Sequence, residues 1–443
     1  MLSIRPWWGK PALQTPACII LVTAHTSHLQ KLRMNIKTAI HARAIAAGLV
    51  LSMTSLCPHA VIGEQSQPAA SGFDQYRQQM QQEFQRSKDE FQEYRRQLLA
   101  AFETYRRKTA AVWGAKSNVM PDRTNWVSFQ GDLNHRGVVD FEHGTVDVGV
   151  ALPADDKVTD AGARRKLEDT IVKVLKQGAD TRPMAEIAKQ PVSKPGGPPV
   201  LKGQVADENG NEIGQDDYAG LAARLAQQAN RKTIRGEDGR RRVVYETRLH
   251  LVPDHIRIRA ERFQPAVDRQ AARQDIRPAL IFAVIETESY FNPNARSPAP
   301  AFGLMQLVPT SGAREAYRYV YNKDKVVSDT YLYNPDNNIE LGAAYLNRLY
   351  FSYFNGIESP ESRKWATIAA YNTGAGNVFR TFAGKYSRAR FGSYATWKKT
   401  ALREINRRSP EQVYRFMRSN LPYRETRDYL AKVRERIDKY GKA

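Results

Sequence analysis

The sequence predicts an α+β protein, with a mostly helical carboxyl-terminal domain preceded by a smaller α+β domain that carries a long amphipathic helix. Three observations predict it. Residues 73–113 run without proline or glycine, as one long helix would. Residues 126–152 alternate apolar and polar positions between turn signals, as antiparallel strands do. From His255 to the end nearly every segment has helical periodicity. The expected division is a leader over 1–60, an α+β domain over 61–254 and a helical domain over 255–443.

The totals set the frame. A chain of 443 residues has room for two or three domains, and 42% hydrophobic content is ample for their cores. The formal net charge of +21 implies an anionic partner or surface. Nucleic acid, anionic lipid and the carboxylates of cell-wall peptides all qualify. The two cysteines, Cys18 and Cys57, fall before residue 60, so the rest of the chain has no cysteine cluster for zinc and needs no disulfide.

At the amino end, Met34 opens a legible pattern and is the expected true start. Lys37 and Arg43 form a basic region, and Ala44 to Met53 a short apolar one. That is a secretory signal, too short to span a bilayer. Cys57 follows it, placed as the acylated cysteine of bacterial lipoproteins is, although Leu56 before it is not small. Cleavage after Ala60, or within Ala69–Ala70, is the competing outcome. Both mean export.

In the long helix, Phe73, Met80, Tyr94 and Ala101 form one seven-spaced row that skips Ser87, and Phe84, Phe91, Leu98 and Tyr105 a second. Together they make a single apolar stripe that packs on its own domain or on another helix. After Pro121 two or three strands follow, with turns expected at Asn134–Gly137 and at His143–Gly144. His135 and His143 read as solvated turn residues. Residues 160–190 read as helix, and 191–240 as loop or linker around a short helix at 218–230, because Pro, Gly, Asp and Asn are dense there. Residues 241–253 alternate like a strand that completes the sheet.

The chemistry lies in the last third. Asp275 is an expected N-cap and Pro278 suits a first helical turn. Ala279 to Ile285 is apolar on nearly every side, and the run ends in Glu286-Thr287-Glu288-Ser289 before Asn292-Pro293 stops it. Residues two apart on a helix point about 200° apart, so the two glutamates face different surroundings. Glu288 continues the stripe of Ile281 and Val284. Glu286 is then an ordinary surface or interhelix charge. A carboxyl held among apolar neighbours keeps its proton to higher pH, which suits a general acid for glycosidic cleavage. Further on, 303–306 (Gly-Leu-Met-Gln) and 369–376 (Ala-Ala-Tyr-Asn-Thr-Gly-Ala-Gly) read as turns at helix ends, and 332–350 as a capped helix.

Taken together and in this order, Glu-Ser-Tyr-Phe-Asn-Pro, Gly-Leu-Met-Gln, Ala-Tyr-Asn-x-Gly and Pro-Tyr-x-Glu-Thr-Arg-x-Tyr resemble the motifs of the lytic murein transglycosylases. The resemblance covers about 255–443 and implies a goose-lysozyme-like fold. The middle region, with Trp126-Val-Ser-Phe and the strand pattern after it, is similar to the amino-terminal domain of a membrane-bound branch of that family. The resemblance implies that Glu288 is the catalytic acid and base. It implies that Ser297 helps position the sugar, and that Met305, Gln306, Tyr371 and Asn372 line the saccharide groove. Tyr423 and Glu425 would contact sugar from the opposite side. Pro300 departs from the family pattern and puts the shape of its loop in doubt.

The resemblance also implies a mechanism without metal or organic cofactor. Glu288 gives its proton to the oxygen between N-acetylmuramic acid and N-acetylglucosamine, and then takes one from the sugar's own C6 hydroxyl. A 1,6-anhydro end forms and no water is consumed. The partner is the peptidoglycan glycan strand, in the periplasm of a Gram-negative bacterium, with outer-membrane anchoring if Cys57 is acylated. A lysozyme using water at the same bond, and a non-catalytic wall-binding scaffold, stay open as alternatives. Nucleic acid is disfavoured, because the leader directs export and the basic residues are scattered.

Overall fold

The computed structural model describes residues 72–441. The leader, including Met34, Cys18, Cys57 and the cleavage positions, lies outside the described residues. So do the side chains of Phe73, Met80 and Phe84.

Helix α1 spans Gly72–Ser117, with a break in helical geometry at Gly114. Leu98 and Tyr105, from the expected stripe, are buried, and Phe91, Tyr94 and Ala101 are half-buried. Phe102 and Trp113 are buried as well. The strands β1 (Asn125–Gln130), β2 (His135–Asp140) and β3 (Thr145–Pro153) form a meander. Then come α2 (Asp160–Lys176), β4 (Gly178–Ala179), α3 (Met184–Lys189), β5 (Gly196–Pro199), α4 (Tyr218–Gln227), β6 (Asn230–Arg235) and β7 (Arg241–His250). The main sheet is antiparallel, in the order β1-β2-β3-β7-β6. So β7 does complete it, through a full register from Thr145↔His250 to Pro153↔Arg242.

Alternation sorts the two faces of the sheet. Val146, Val148 and Val150 pack with Leu167, Ile171, Val174, Leu221 and Leu225 of α2 and α4. Phe129, Ala151 and Val244 belong to a second cluster, shared with α1 and with the helices of the carboxyl-terminal half.

The helix expected over 160–190 ends at Lys176 and gives way to β4 and the separate short α3. Two further expectations need correction here. The first turn falls at residues 131–134, not at Asn134–Gly137. The Trp113 indole donates to the Leu133 carbonyl (2.8 Å), and Leu133 takes a left-handed conformation (φ 72°). His135 is therefore a strand residue, half-buried, with Nδ1 2.6 Å from the Thr170 hydroxyl of α2. His143 is exposed and pairs with Asp140. The second correction concerns 191–240, which is built into the domain. Leu201 and Val205 are wholly buried, β6 is an edge strand, and Arg262 donates to the carbonyls of Val200 and Lys202. Glycine and proline density marks irregular backbone, which a few buried anchors hold in place.

The helical half comprises α5 (His255–Gln274), α6 (Pro278–Ser289), α7 (Arg314–Tyr321), α8 (Asp329–Tyr333), α9 (Pro335–Arg348), α10 (Pro360–Thr373), α11 (Ala375–Ala383), α12 (Arg388–Phe391), α13 (Tyr394–Asn406), α14 (Pro410–Asn420) and α15 (Arg424–Tyr440). Every residue of α6 from Ala279 to Ser289 is buried. Asp275 does not cap α6. It closes α5 in a left-handed conformation (φ 52°), its N–H bonded to the Ala271 carbonyl, and Arg277 occupies the N-cap without a side-chain bond. With three residues between the helices, the first of them belongs to the helix that ends.

Arg259 of α5 ties the two halves together. It is 2% exposed and donates to the carbonyls of Phe141 (2.8 Å) and Tyr290 (3.0 Å) and to Gln204 Oε1 (2.7 Å). The hairpin, the loop before α4 and the end of α6 thus share one cation. Truncation would leave these acceptors buried and unpaired. R259A should lose about 3 kcal/mol or more of unfolding free energy in urea titration, far beyond an exposed Arg→Ala control.

Candidate active site

The last turn of α6 carries Glu288, with its side chain 8% exposed. Burial pushes its carboxyl up to about 7. Arg123, whose Nη1 lies 3.9 Å from Oε2, pulls the other way, as does the Tyr429 hydroxyl. Tyr429 faces the carboxyl too loosely for a hydrogen bond of ordinary geometry. The Glu425 charge adds a small upward push.

Two residues earlier, Glu286 is equally buried but fully engaged. It accepts from Arg436 Nε (3.1 Å), Lys439 Nζ (3.0 Å) and the Tyr440 hydroxyl, all on α15. It is an interhelix charge. Arg436 also donates to the hydroxyls of Thr287 (2.8 Å) and Tyr290 (2.9 Å), and Tyr290 donates to Glu142 of the β2–β3 hairpin (2.6 Å).

The helix stops through two left-handed residues, Tyr290 (φ 48°) and Phe291 (φ 61°), ahead of Asn292-Pro293. The Ser289 hydroxyl donates to the Leu304 carbonyl (2.8 Å), which pins the 303–306 turn against the end of α6. That turn is held from its other side by Asn338 of α9. The Asn338 amide donates to the carbonyls of Phe302 and Leu332 (both 2.9 Å) and its oxygen accepts the Met305 N–H (2.8 Å). Only glycine fits at 303, where φ is 75° and a Cβ would lie 2.3 Å from Asn338 Nδ2 and from the Leu332 carbonyl.

The residues singled out from sequence divide into groups. The Met305 side chain is wholly buried, its sulfur packed on Gly342, and Met305 presents its carbonyl to the Tyr371 hydroxyl (2.9 Å). Gln306 folds back on the Gly303 carbonyl (3.0 Å), and its own Oε1 is buried without a protein partner. Tyr371 lies close enough to Glu288 to feel its charge, and its ring packs beside Tyr345. Asn372 accepts from Thr426 at the start of α15 (2.7 Å), which sets Asn372 beside the Tyr423–Glu425 segment. Glu425 and the 57%-exposed Tyr423 open to solvent. Ser297 stands apart: its hydroxyl accepts the Ala299 N–H (3.2 Å) and closes the local turn.

Arg123, Asn338 and Tyr429 were missed in sequence. Tyr429 had a signal, being the last letter of the Pro-Tyr-x-Glu-Thr-Arg-x-Tyr motif and one helical turn after Glu425. Among the described residues, no cluster of three or more His, Cys, Asp or Glu side chains is placed to hold a metal ion. Cavities of about 480 Å³ beside Arg136 and about 520 Å³ between Phe141, Phe263 and Phe291 do not include Glu288.

Comparison with known proteins covers both halves. The sequence pattern of the transglycosylase SLT domain matches residues 265–392. That of the N-terminal domain of membrane-bound lytic murein transglycosylase C matches 91–262. The chain is 33% identical to the membrane-bound lytic murein transglycosylase C of Klebsiella pneumoniae over 325 residues, 73% of this chain and 83% of the relative. The Haemophilus influenzae protein of the same name is 32% identical over 324 residues, with the same shares. Among solved structures, an inactive mutant of the lytic transglycosylase Slt from Pseudomonas aeruginosa is 30% identical, over 40% of this chain and 24% of that one, with a TM-score of 0.28.

The two glutamates should respond oppositely to neutralisation. The carboxyl of Glu288 rises from an ordinary 4.5 to about 7 on folding. Its burial therefore costs nothing below pH 4.5, costs progressively more up to about pH 7, and costs in full above that. E288Q should gain roughly 2–3 kcal/mol at alkaline pH and nothing at acid pH. E286Q should lose about 3 kcal/mol, because Arg436 is left buried beside a neutral amide. Thermal unfolding across pH reads both.

Proposed function

This chain belongs to the lytic murein transglycosylases, and from that premise we propose that it cleaves the N-acetylmuramic acid–β-1,4–N-acetylglucosamine bond of peptidoglycan with Glu288 as sole acid and base. The observation that carries this reading is the buried carboxyl at the end of α6, which burial keeps protonated toward neutral pH. Such a group donates to the bridging oxygen as the glycosidic bond breaks. The carboxylate left behind then accepts the proton of the muramyl C6 hydroxyl as that oxygen attacks C1. Glu288 ends as it began, and the product carries a 1,6-anhydro ring. The nucleophile is already part of the substrate, so proximity supplies what a bound water would otherwise need.

Most glycoside hydrolases use a second carboxylate as base or nucleophile. Glu425 is the nearby candidate. It is solvent-exposed, and its charge helps Glu288 keep its proton. This favours the single-acid route over the lysozyme alternative.

In this reading Gln306, Tyr371, Asn372, Tyr423 and Glu425 flank the sugar, with Gln306 held by its bond to the Gly303 carbonyl. Met305 contributes through its carbonyl and its packing, and Ser297 by shaping the loop that carries Pro300. The chain is assigned a catalytic part from 255 and an amino-terminal domain before it. Their shared core and the Arg259 bonds support one rigid enzyme. A periplasmic location, with membrane association through an acylated Cys57, accords with the membrane-bound relatives.

Digestion of purified sacculi, with products identified by mass spectrometry, tests the proposal. The wild type should release 1,6-anhydromuropeptides, and E288Q should be slower by at least about a hundredfold. Because the acid must be protonated, the rate should fall about tenfold per pH unit above about 7. Reducing, hydrated ends would make the enzyme a lysozyme. No soluble product, with binding to sacculi intact, would make it a scaffold.

A further inference from the structure

The groups that face the Glu288 carboxyl come from separate parts of the fold. Tyr371 comes from α10, Glu425 and Tyr429 from α15, and Arg123 from the segment just before β1. Arg123 is the cation among them, and it belongs to the amino-terminal half of the chain.

Its place is built. Asp122 folds the segment into a tight turn, its carboxylate accepting the N–H groups of Thr124 (2.8 Å) and Asn125 (2.7 Å) and the Asn125 side-chain amide (3.0 Å). The turn is then fastened to the loop that follows the catalytic helix. The Asn292 amide donates to the Arg123 carbonyl (3.4 Å), and the Arg296 N–H donates to the Asp122 carbonyl (3.3 Å). Arg123 thus has a backbone fixed on both sides and a side chain 44% exposed. Among the described residues, the approach to Glu288 is the guanidinium's ion pair, and it donates no hydrogen bond within the fold.

We infer that Arg123 is a positioning residue of the active site, supplied by the amino-terminal domain to hold the carboxylate that Glu288 becomes once it has given up its proton. The inference rests on the role proposed for Glu288. The other facing groups do not do this work. Glu425 opposes the carboxylate, and Tyr371 and Tyr429 are phenols that burial keeps neutral. In a buried site a carboxylate forms readily only where a cation meets it. Without Arg123, Glu288 would keep its proton to higher pH and donate it less readily.

R123Q and R123K test this, with two readouts. The first needs no turnover: the difference in thermal stability between each protein and its Glu288→Gln counterpart, followed across pH, titrates Glu288 itself. The second is the pH–rate profile on sacculi. R123Q should move the titration midpoint and the alkaline limb of the profile up together, by about one pH unit, and lower the rate at acidic pH. R123K should recover most of that shift. An unmoved titration in R123Q overturns the inference even if activity falls, since the loss would then mark a substrate contact alone. If the wild type released no product at all, the proposed function would fail, and the titration would still decide what Arg123 does to Glu288.

Discussion

The last turn of α6 buries two carboxylates two residues apart, and only one of them is neutralised by its neighbours. Glu286 meets Arg436, Lys439 and Tyr440, all from α15. Glu288 meets two phenols, the Glu425 charge and one cation at 3.9 Å. A buried pair that is fully bonded holds a helix end in place, whereas a buried carboxyl that is not fully bonded holds a proton. The first condition makes the second tolerable. Unless α15 were locked along α6, the chain could relieve the burial of Glu288 by letting the turn swing out to water.

The other wall of the site depends on the same helix end. Ser289 fixes the Leu304 carbonyl, and Asn338 fixes the backbone on either side of it. Buried side-chain amides and hydroxyls of this kind specify a single arrangement, because any slip leaves polar groups unpaired. Tyr371 then closes the ring of contacts by donating to the Met305 carbonyl. The 303–306 turn is thus fixed by hydrogen bonds, and the Met305 side chain is buried against Gly342.

Much of this was legible. An apolar run closing on Glu288 with a breaker four residues on is a local pattern, and the alternation of 241–250 marks a strand whichever partner it takes. The side chains that act over long range were not. Arg123 is one arginine among many in a turn, and its meaning comes from Asn292 and Arg296, far along the chain. His135 sat in an apparent turn because nothing local reveals that Trp113 bonds the Leu133 carbonyl and shifts the turn back. Asp275 failed as a cap for a related reason: an aspartate between two helices can end the first or start the second, and the left-handed closure of α5 won.

The seam between the two halves follows from these contacts. The hairpin reaches the end of α6 directly, through Glu142 to Tyr290, and indirectly, through the Phe141 carbonyl that accepts from Arg259 of α5. Arg259 bonds the Tyr290 carbonyl as well, so Tyr290 is gripped by its backbone and by its hydroxyl. Tyr290 is also the left-handed residue that terminates α6. A non-glycine residue in that conformation is strained by roughly 1 kcal/mol, and it persists where its surroundings over-determine it. Here those surroundings include the amino-terminal domain. The position of Glu288, two residues before Tyr290, is therefore a property of both halves of the chain.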